Sequence, residues 1–339
     1  MNRARFSHPD VRKLAVTTSA ILLALVISWF LLGGTLSSNS PEMGSTDPST
    51  YKAKYKYETV KGFFLQDDPK TDWNGFEYTK HNFGLIPRSY PTDSDPSAPL
   101  WERFGRYIQH LQTSAPAGTS YKLLYFGRHG EGYHNVAEAK YGTKDWDDYW
   151  SKLEGDGELF WSDAHLTDKG KEQALEAHAF IGEQLAWAKM PASQSYYVSS
   201  MYRCLQTANL TFSGLKLPDE APFDPLIKEL LREVLGEHTC DRRSTKSYIH
   251  EHFPTWRIEE GLTEQDELWK ADHRETHDEH DVRTTEFLDD VFSHNQNVYV
   301  SLTTHSGAIA SHLRVLGHQE FRLVTGGMIP VLVKATKKE

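Results

Sequence analysis

Read from its amino end, the chain first presents residues 14–36, a run without a charged side chain whose centre, residues 20–32, is almost wholly apolar. A helix of this length rises about 1.5 Å per residue and crosses a bilayer core of about 30 Å with every backbone amide paired internally. Arg3, Arg5, Arg12 and Lys13 precede it, and the next bases are Lys52, Lys54 and Lys56. The positive-inside rule then sets residues 1–13 in the cytosol as a basic tail. The pattern predicts a single-pass signal-anchor, with the remainder luminal or extracellular. A cleaved signal peptide, giving a secreted protein, is the competing reading. Residues 37–50, rich in Ser, Pro and Thr, read as a stalk.

Residues 51–120 are aromatic-rich and interrupted by Pro69, Pro87, Pro91, Pro96 and Pro99. They predict an extension packed on the core, with one helix over residues 100–111. From residue 121 to 339 the pattern changes. Short apolar runs at 122–126, 195–199, 297–303 and 329–335 read as strands, and 226–235 as a strand or a strand and turn. Between them lie helical periodicities. Thr167 caps the clearest, in which Ala174, Ala177, Ile181 and Leu185 recur at spacings of three and four. Further helices are expected at 201–212 and 307–316. Alternating strands and helices predict an α/β domain, a mostly parallel sheet with helices on both faces. Ligands then bind beyond the carboxyl ends of the strands.

The composition narrows the function. The 339 residues carry a formal charge of −10, which argues against a nucleic-acid partner. Two cysteines are too few for a disulfide scaffold or a cysteine-rich zinc site. Cys204 and Cys240 read as free buried thiols, with pairing in an oxidising compartment as the alternative. Asn209-Leu210-Thr211 is a glycosylation sequon near the end of a predicted helix. Seventeen histidines direct attention to imidazole chemistry.

Three predicted strands end in polar, cationic turns: Gly127-Arg128-His129-Gly130-Glu131 with Asn135 beyond, Ser199-Ser200-Met201-Tyr202-Arg203, and Thr304-His305-Ser306-Gly307. If these strands are parallel neighbours, Arg128, His129, Arg203 and His305 meet at one point. Two guanidiniums and two imidazoles suit a tetrahedral, multiply charged anion, through paired charge-assisted hydrogen bonds. Gly127, Gly130 and Gly307 are expected to let the backbone approach that ligand.

These motifs resemble the histidine phosphatase superfamily, also called phosphoglycerate mutase-like. The resemblance rests on Arg128-His129-Gly130 after an apolar strand, Asn135, Arg203 within Arg-x-x-Gln-Thr-Ala, and His305 within Thr-His-Ser-Gly. Residues 231–243 are similar to the version in the fungal and plant branch, and the likeness spans residues 121–335. The resemblance implies His129 as a nucleophile that becomes a phosphohistidine. It also implies Arg128, Arg203, His305 and Asn135 as phosphate ligands, and Glu233 as the proton donor to the leaving oxygen. Asp241 is the reserve donor. The acid-phosphatase branch places an aspartate after the second histidine; Ser306 stands there instead.

No cofactor is called for, since neither a Walker nor a dinucleotide fingerprint is present, and no metal site is expected. His273 and His277 sit at a helical i, i+4 spacing that can hold zinc. Their acidic surroundings, with Asp272, Glu275, Asp278, Glu279 and His280, read instead as a solvated charged helix. The expected partner is a small phosphorylated substrate, with the leaving group lodged among residues 146–161, the 51–120 extension and Arg242-Arg243. The sequence reads as a phosphatase; a phosphate-moving isomerase and a catalytically silent anion-binding protein are the alternatives.

Overall fold

The computed structural model describes residues 51–339. The basic tail, the signal-anchor over residues 14–36 and the stalk lie outside the described residues. Among those described, no helix is long and apolar enough to cross a membrane.

The apolar run at 122–126 forms the centre of β2, Thr119–Arg128. All of Leu123, Leu124, Tyr125 and Phe126 are buried, as a strand covered on both faces requires. Successive side chains point to opposite faces. Leu123 and Tyr125 enter one apolar cluster, and Leu124 and Phe126 another. The sheet comprises β1 (Tyr55–Thr59), β2, β3 (Ser195–Ser199), β4 (Pro225–Lys228), β5 (Arg257–Ile258), β6 (Tyr299–Thr304) and β7 (Met328–Lys337). Its order is β1-β7-β2-β6-β3-β4-β5. The pairings from β2 through β6, β3 and β4 to β5 are parallel, and β7 runs antiparallel to both β1 and β2.

Helices α1 (Leu100–Thr113), α2 (Tyr133–Tyr141), α3 (Thr143–Asp148), α4 (Asp168–Glu183), α5 (Tyr202–Phe212), α6 (Lys246–His252), α7 (His277–His294) and α8 (Ser306–Val315) complete the fold. The first face of the sheet packs against α1, α4 and α5, through Trp101, Phe104, Phe180, Ile181, Leu205 and Phe212. The second packs against α7 and α8, through Phe287, Leu288, Ile309 and Leu313. Thr167 caps α4 as expected, its side chain accepting from the Gly170 amide.

Residues 51–120 are more than a cover. Phe63, Phe64, Phe83, Trp101 and Phe104 are fully or almost fully buried in the first core, each worth about 1.5–3 kcal/mol of burial. β1 completes the edge of the sheet, so the predicted border at residue 120 divides a continuous structure. Asp289 of α7, wholly buried, holds this edge: it accepts from Tyr51 Oη (2.7 Å), Tyr57 Oη (2.7 Å) and the Lys54 amide (2.6 Å).

The histidine-rich acidic stretch differs from its reading as a solvated helix. Thr276 caps α7 through a capping box, so the helix begins at His277 and His273 precedes it. His273 bonds Glu279, and His280 is buried against the core. The apolar stripe at Phe287, Leu288, Val291 and Phe292 makes α7 a core helix.

Replacing Asp289 with Ala strands the buried Tyr57 phenol and the half-buried Tyr51 phenol and Lys54 amide, an unpaired buried group costing about 1–3 kcal/mol. The expected loss is about 3 kcal/mol of unfolding free energy, read by denaturant titration, with Asp289→Asn losing less because one oxygen acceptor remains.

Candidate active site

The three cationic turns converge because their strands are adjacent and parallel. Arg128 at the end of β2 pairs in register with Thr304 of β6, whose neighbour β3 ends at Ser199. His129 continues this register, its amide donating to the Thr304 carbonyl at 2.9 Å. Beyond these ends lies a cavity of about 270 Å³. Arg128, His129, Asn135, Arg203, Glu233 and Asp241 line it together.

His129 is 1% exposed, and its Nδ1 lies 2.7 Å from the Gly130 carbonyl. A carbonyl only accepts, so Nδ1 carries the proton and Nε2 keeps its lone pair. Burial, with the guanidiniums of Arg203 and Arg128 adding to it, holds this ring well below the usual histidine range. The turn is fixed from two sides. The Gly130 amide donates to Thr207 Oγ1 (3.0 Å), and Thr207 Oγ1 donates to the Arg203 carbonyl (2.7 Å). A Cβ on Gly130 would stand 2.2 Å from the Gly170 carbonyl oxygen, so glycine is required there for packing against α4. Gly307 is similar: a Cβ would meet Glu233 Oε1 at 2.0 Å. Gly127 meets no such close contact. At Gly130 and Gly307, then, contacts within the protein take the space a side chain would fill.

Arg203 is buried and donates from Nη1 to the Cys240 carbonyl (2.6 Å) and from Nη2 to Asp241 (3.1 Å). Burial alone would lower its guanidinium; Asp241, with Cys240, Cys204 and Asp163 adding to it, outweighs that and raises it. Arg128 Nη1 donates to the Leu323 carbonyl at 2.7 Å. Asp241 bonds Arg203 through one oxygen and Arg274 Nη1 (2.8 Å) through the other. Burial works against its charge, but the Arg274 and Arg203 guanidiniums hold the carboxyl below its ordinary range. This overturns Asp241 as reserve proton donor: a carboxylate clamped between two guanidiniums has no proton to give.

Glu233 accepts from the Gly307 amide (3.0 Å) and Ser306 Oγ (3.3 Å) at the start of α8, and from the Val234 amide. It pairs with none of Arg232, Arg242 or Arg243. Arg232 bonds Glu229 and Asp266, Arg243 bonds Glu229, and Arg242 bonds Glu154. Asn135 Oδ1 accepts from the Gly132 amide and caps α2 (3.0 Å).

His305 is placed differently from its expected role as a phosphate ligand. It is wholly buried and is not in the cavity wall. Its ring stands edge-on to His129 with centroids 5.1 Å apart, and its Nε2 bonds Ser199 Oγ at 2.9 Å. Of the expected leaving-group region, Trp146 and Asp147 line the cavity, while Arg242, Arg243 and the 51–120 segment do not.

Sequence reasoning missed His134, His238, Glu138 and Arg274 in the wall. His134 adjoins Asn135, so its place on α2 was a readable signal. Arg274 comes from the stretch read as a solvated helix. His238, Cys240 and Asp241 bring potential metal ligands within 4.8 Å of one another, but both Asp241 oxygens already bind guanidiniums. Cys204 and Cys240 are free and buried.

A model of the histidine phosphatase superfamily (branch 1) matches residues 151–325. The chain is 48% identical over 308 residues to a probable phosphoglycerate mutase of Arthroderma benhamiae, covering 90% of this chain and 92% of that protein. It is 34% identical over 279 residues to phosphomutase-like protein 3 of Candida albicans, covering 82% and 80%. A probable phosphoglycerate mutase of Saccharomyces cerevisiae is 38% identical over 232 residues, covering 63% and 79%.

The buried histidines set an acid limit on stability. Burial lowers His129, His134, His280 and His305 well below their ordinary value and His312 to about 4. Above about pH 6.5 these rings are neutral in both the folded and unfolded chains, and stability is complete. Below it the unfolded chain binds protons that the folded one refuses. Stability therefore falls with pH, by up to about 1.4 kcal/mol per unit for each ring, until the folded values are reached. Denaturant unfolding at pH 7.5 and 5.5 is expected to show this loss, with proton uptake on unfolding at the lower pH.

Proposed function

The chain belongs to the histidine phosphatase superfamily, and from that premise we propose that it hydrolyses small phosphomonoesters through a phosphohistidine on His129. The observation that carries this reading is the His129 ring itself. Its Nδ1 proton is held by Gly130, which leaves Nε2 as the nucleophilic nitrogen in a cavity walled by Arg128 and Arg203.

In the first step Nε2 attacks phosphorus and forms the N–P bond while the P–O bond to the leaving group breaks. Glu233, in the same wall, gives that oxygen a proton. In the second step water attacks phosphorus, Glu233 takes the proton from water, and phosphate leaves Nε2. Arg128 and Arg203 neutralise the phosphoryl oxygens as charge shifts between them, with Asn135 as a neutral donor. Asp241 is a positioning residue that holds the Arg203 and Arg274 guanidiniums. His305, bonded to Ser199 and packed on His129, orients the nucleophilic ring.

The second reading, phosphate transfer between two hydroxyls of one substrate, is favoured by the names of the relatives. All three of the relatives above, at 34–48% identity, are named a probable phosphoglycerate mutase or a phosphomutase-like protein. Both readings use the same phosphohistidine. They part at the second step, where either water or a substrate hydroxyl accepts the phosphoryl group.

With a panel of phosphomonoesters that includes phosphoglycerates, the expected result is free phosphate and an acid-labile phosphoenzyme. His129→Asn should lose both, with turnover falling at least 100-fold, about 2.7 kcal/mol of barrier. Product isomerisation without phosphate release would overturn the hydrolase reading in favour of the mutase. For Glu233→Gln, alkyl phosphates should suffer more than aryl phosphates, whose leaving groups need no proton; equal losses would remove Glu233 from the acid role.

A further inference from the structure

His134 is a third imidazole in the site, with no part in the chemistry above. It lies on α2, one residue before Asn135, and lines the cavity. Its ring centroid is 5.3 Å from that of His129. The residue is 9% exposed, yet its Nδ1 is buried without a hydrogen-bond partner. Nδ1 faces the Gly132 backbone, where a Cβ would come within 2.7 Å of it. The ring thus occupies room that a glycine leaves, and the nitrogen open to a ligand is Nε2. An unpaired buried N–H is rarer than an unpaired acceptor, so the ring proton belongs on Nε2, where it can be donated into the cavity.

We propose that His134 is a further phosphoryl-binding residue whose Nε2–H donates to an oxygen of the phosphate carried by His129. The assignment rests on the phosphohistidine reading and extends it. Packing alone does not demand an imidazole here, because an apolar ring fills the same space without leaving a nitrogen unpaired. The electrostatic setting agrees. Burial, then the Arg203, His129 and Arg128 groups, holds His134 well below the usual histidine range. It therefore serves as a neutral donor, adding a hydrogen bond beside the guanidiniums of the same wall without adding charge.

The test uses the full chain and orthovanadate, a phosphate mimic whose binding is read by calorimetry independently of turnover. Glutamine places its amide nitrogen at the reach of Nε2, so His134→Gln keeps the donor and His134→Phe removes it. The expected result is vanadate affinity at least tenfold weaker in His134→Phe, with kcat on an aryl phosphate down about 100-fold. His134→Gln should stay within about threefold of the parent. Parent-like vanadate affinity in a folded His134→Phe overturns the proposal. So does an equal loss in both variants, since that marks a packing role. A readout without substitution covers a variant that fails to fold: the ¹⁵N shift of His134 Nε2 in the parent should move when vanadate is added, and an unmoved shift overturns the assignment. A parent that binds vanadate but hydrolyses no phosphomonoester would sink the phosphatase reading instead, leaving His134 to be judged on binding.

Discussion

The hydrogen bond from His129 Nδ1 to the Gly130 carbonyl is the interaction on which the site depends. A histidine among arginines has two ways to fail as a nucleophile: it can be protonated on both nitrogens, or carry its one proton on the attacking nitrogen. Burial and the adjacent guanidiniums prevent the first. The Gly130 carbonyl prevents the second. That carbonyl is useful only where the turn holds it, which is the task of Thr207 and of the close approach to Gly170. One side chain of α5 therefore ties the His129 turn to the Arg203 backbone, coupling two motifs far apart in the chain.

The same logic governs the cations. Burying two guanidiniums without compensation would cost several kcal/mol each. Arg203 is compensated by Asp241 and the Cys240 carbonyl. Arg128 spends one nitrogen on the Leu323 carbonyl. Both arginines are thereby fixed before a ligand arrives, so little of the binding energy is lost to ordering them. Asp241 is the hub of this arrangement, since Arg274 shares its other oxygen and at the same time bonds the Val234 and Gly236 carbonyls beside Glu233.

Much of this was legible in the chain. The apolar run of β2 and the polar turns after β2, β3 and β6 already pointed to a meeting of His129, Arg128 and Arg203, because parallel strands bring their carboxyl ends to one edge. The capped helix at Thr167 was equally plain. What could not be read depended on partners distant in sequence. Nothing local marks Asp241 as a clamped carboxylate, because Arg274 lies 33 residues further on. His305 matched a motif, but its burial against Ser199 is set by how β6 and β3 lie side by side. β1 went unseen because an edge strand of five residues carries little periodicity, and α7 was misjudged because its charged first turn masked the apolar stripe that follows.

The chemistry that separates hydrolysis from phosphate transfer lies away from the nucleophile. Both reactions need a neutral His129 and a fixed cationic clamp, so neither feature discriminates between them. The distinction belongs to the wall that receives the leaving group, built here from Trp146, Asp147, His238 and Arg274. An isomerase must keep the dephosphorylated product beside the phosphohistidine until a second hydroxyl turns toward phosphorus, which demands a close, water-excluding wall. Here Asp147 and Glu138 add negative charge to a wall that also carries the Arg274 guanidinium. On the proposed hydrolytic reading, water and not a retained product takes the phosphoryl group and restores the imidazole.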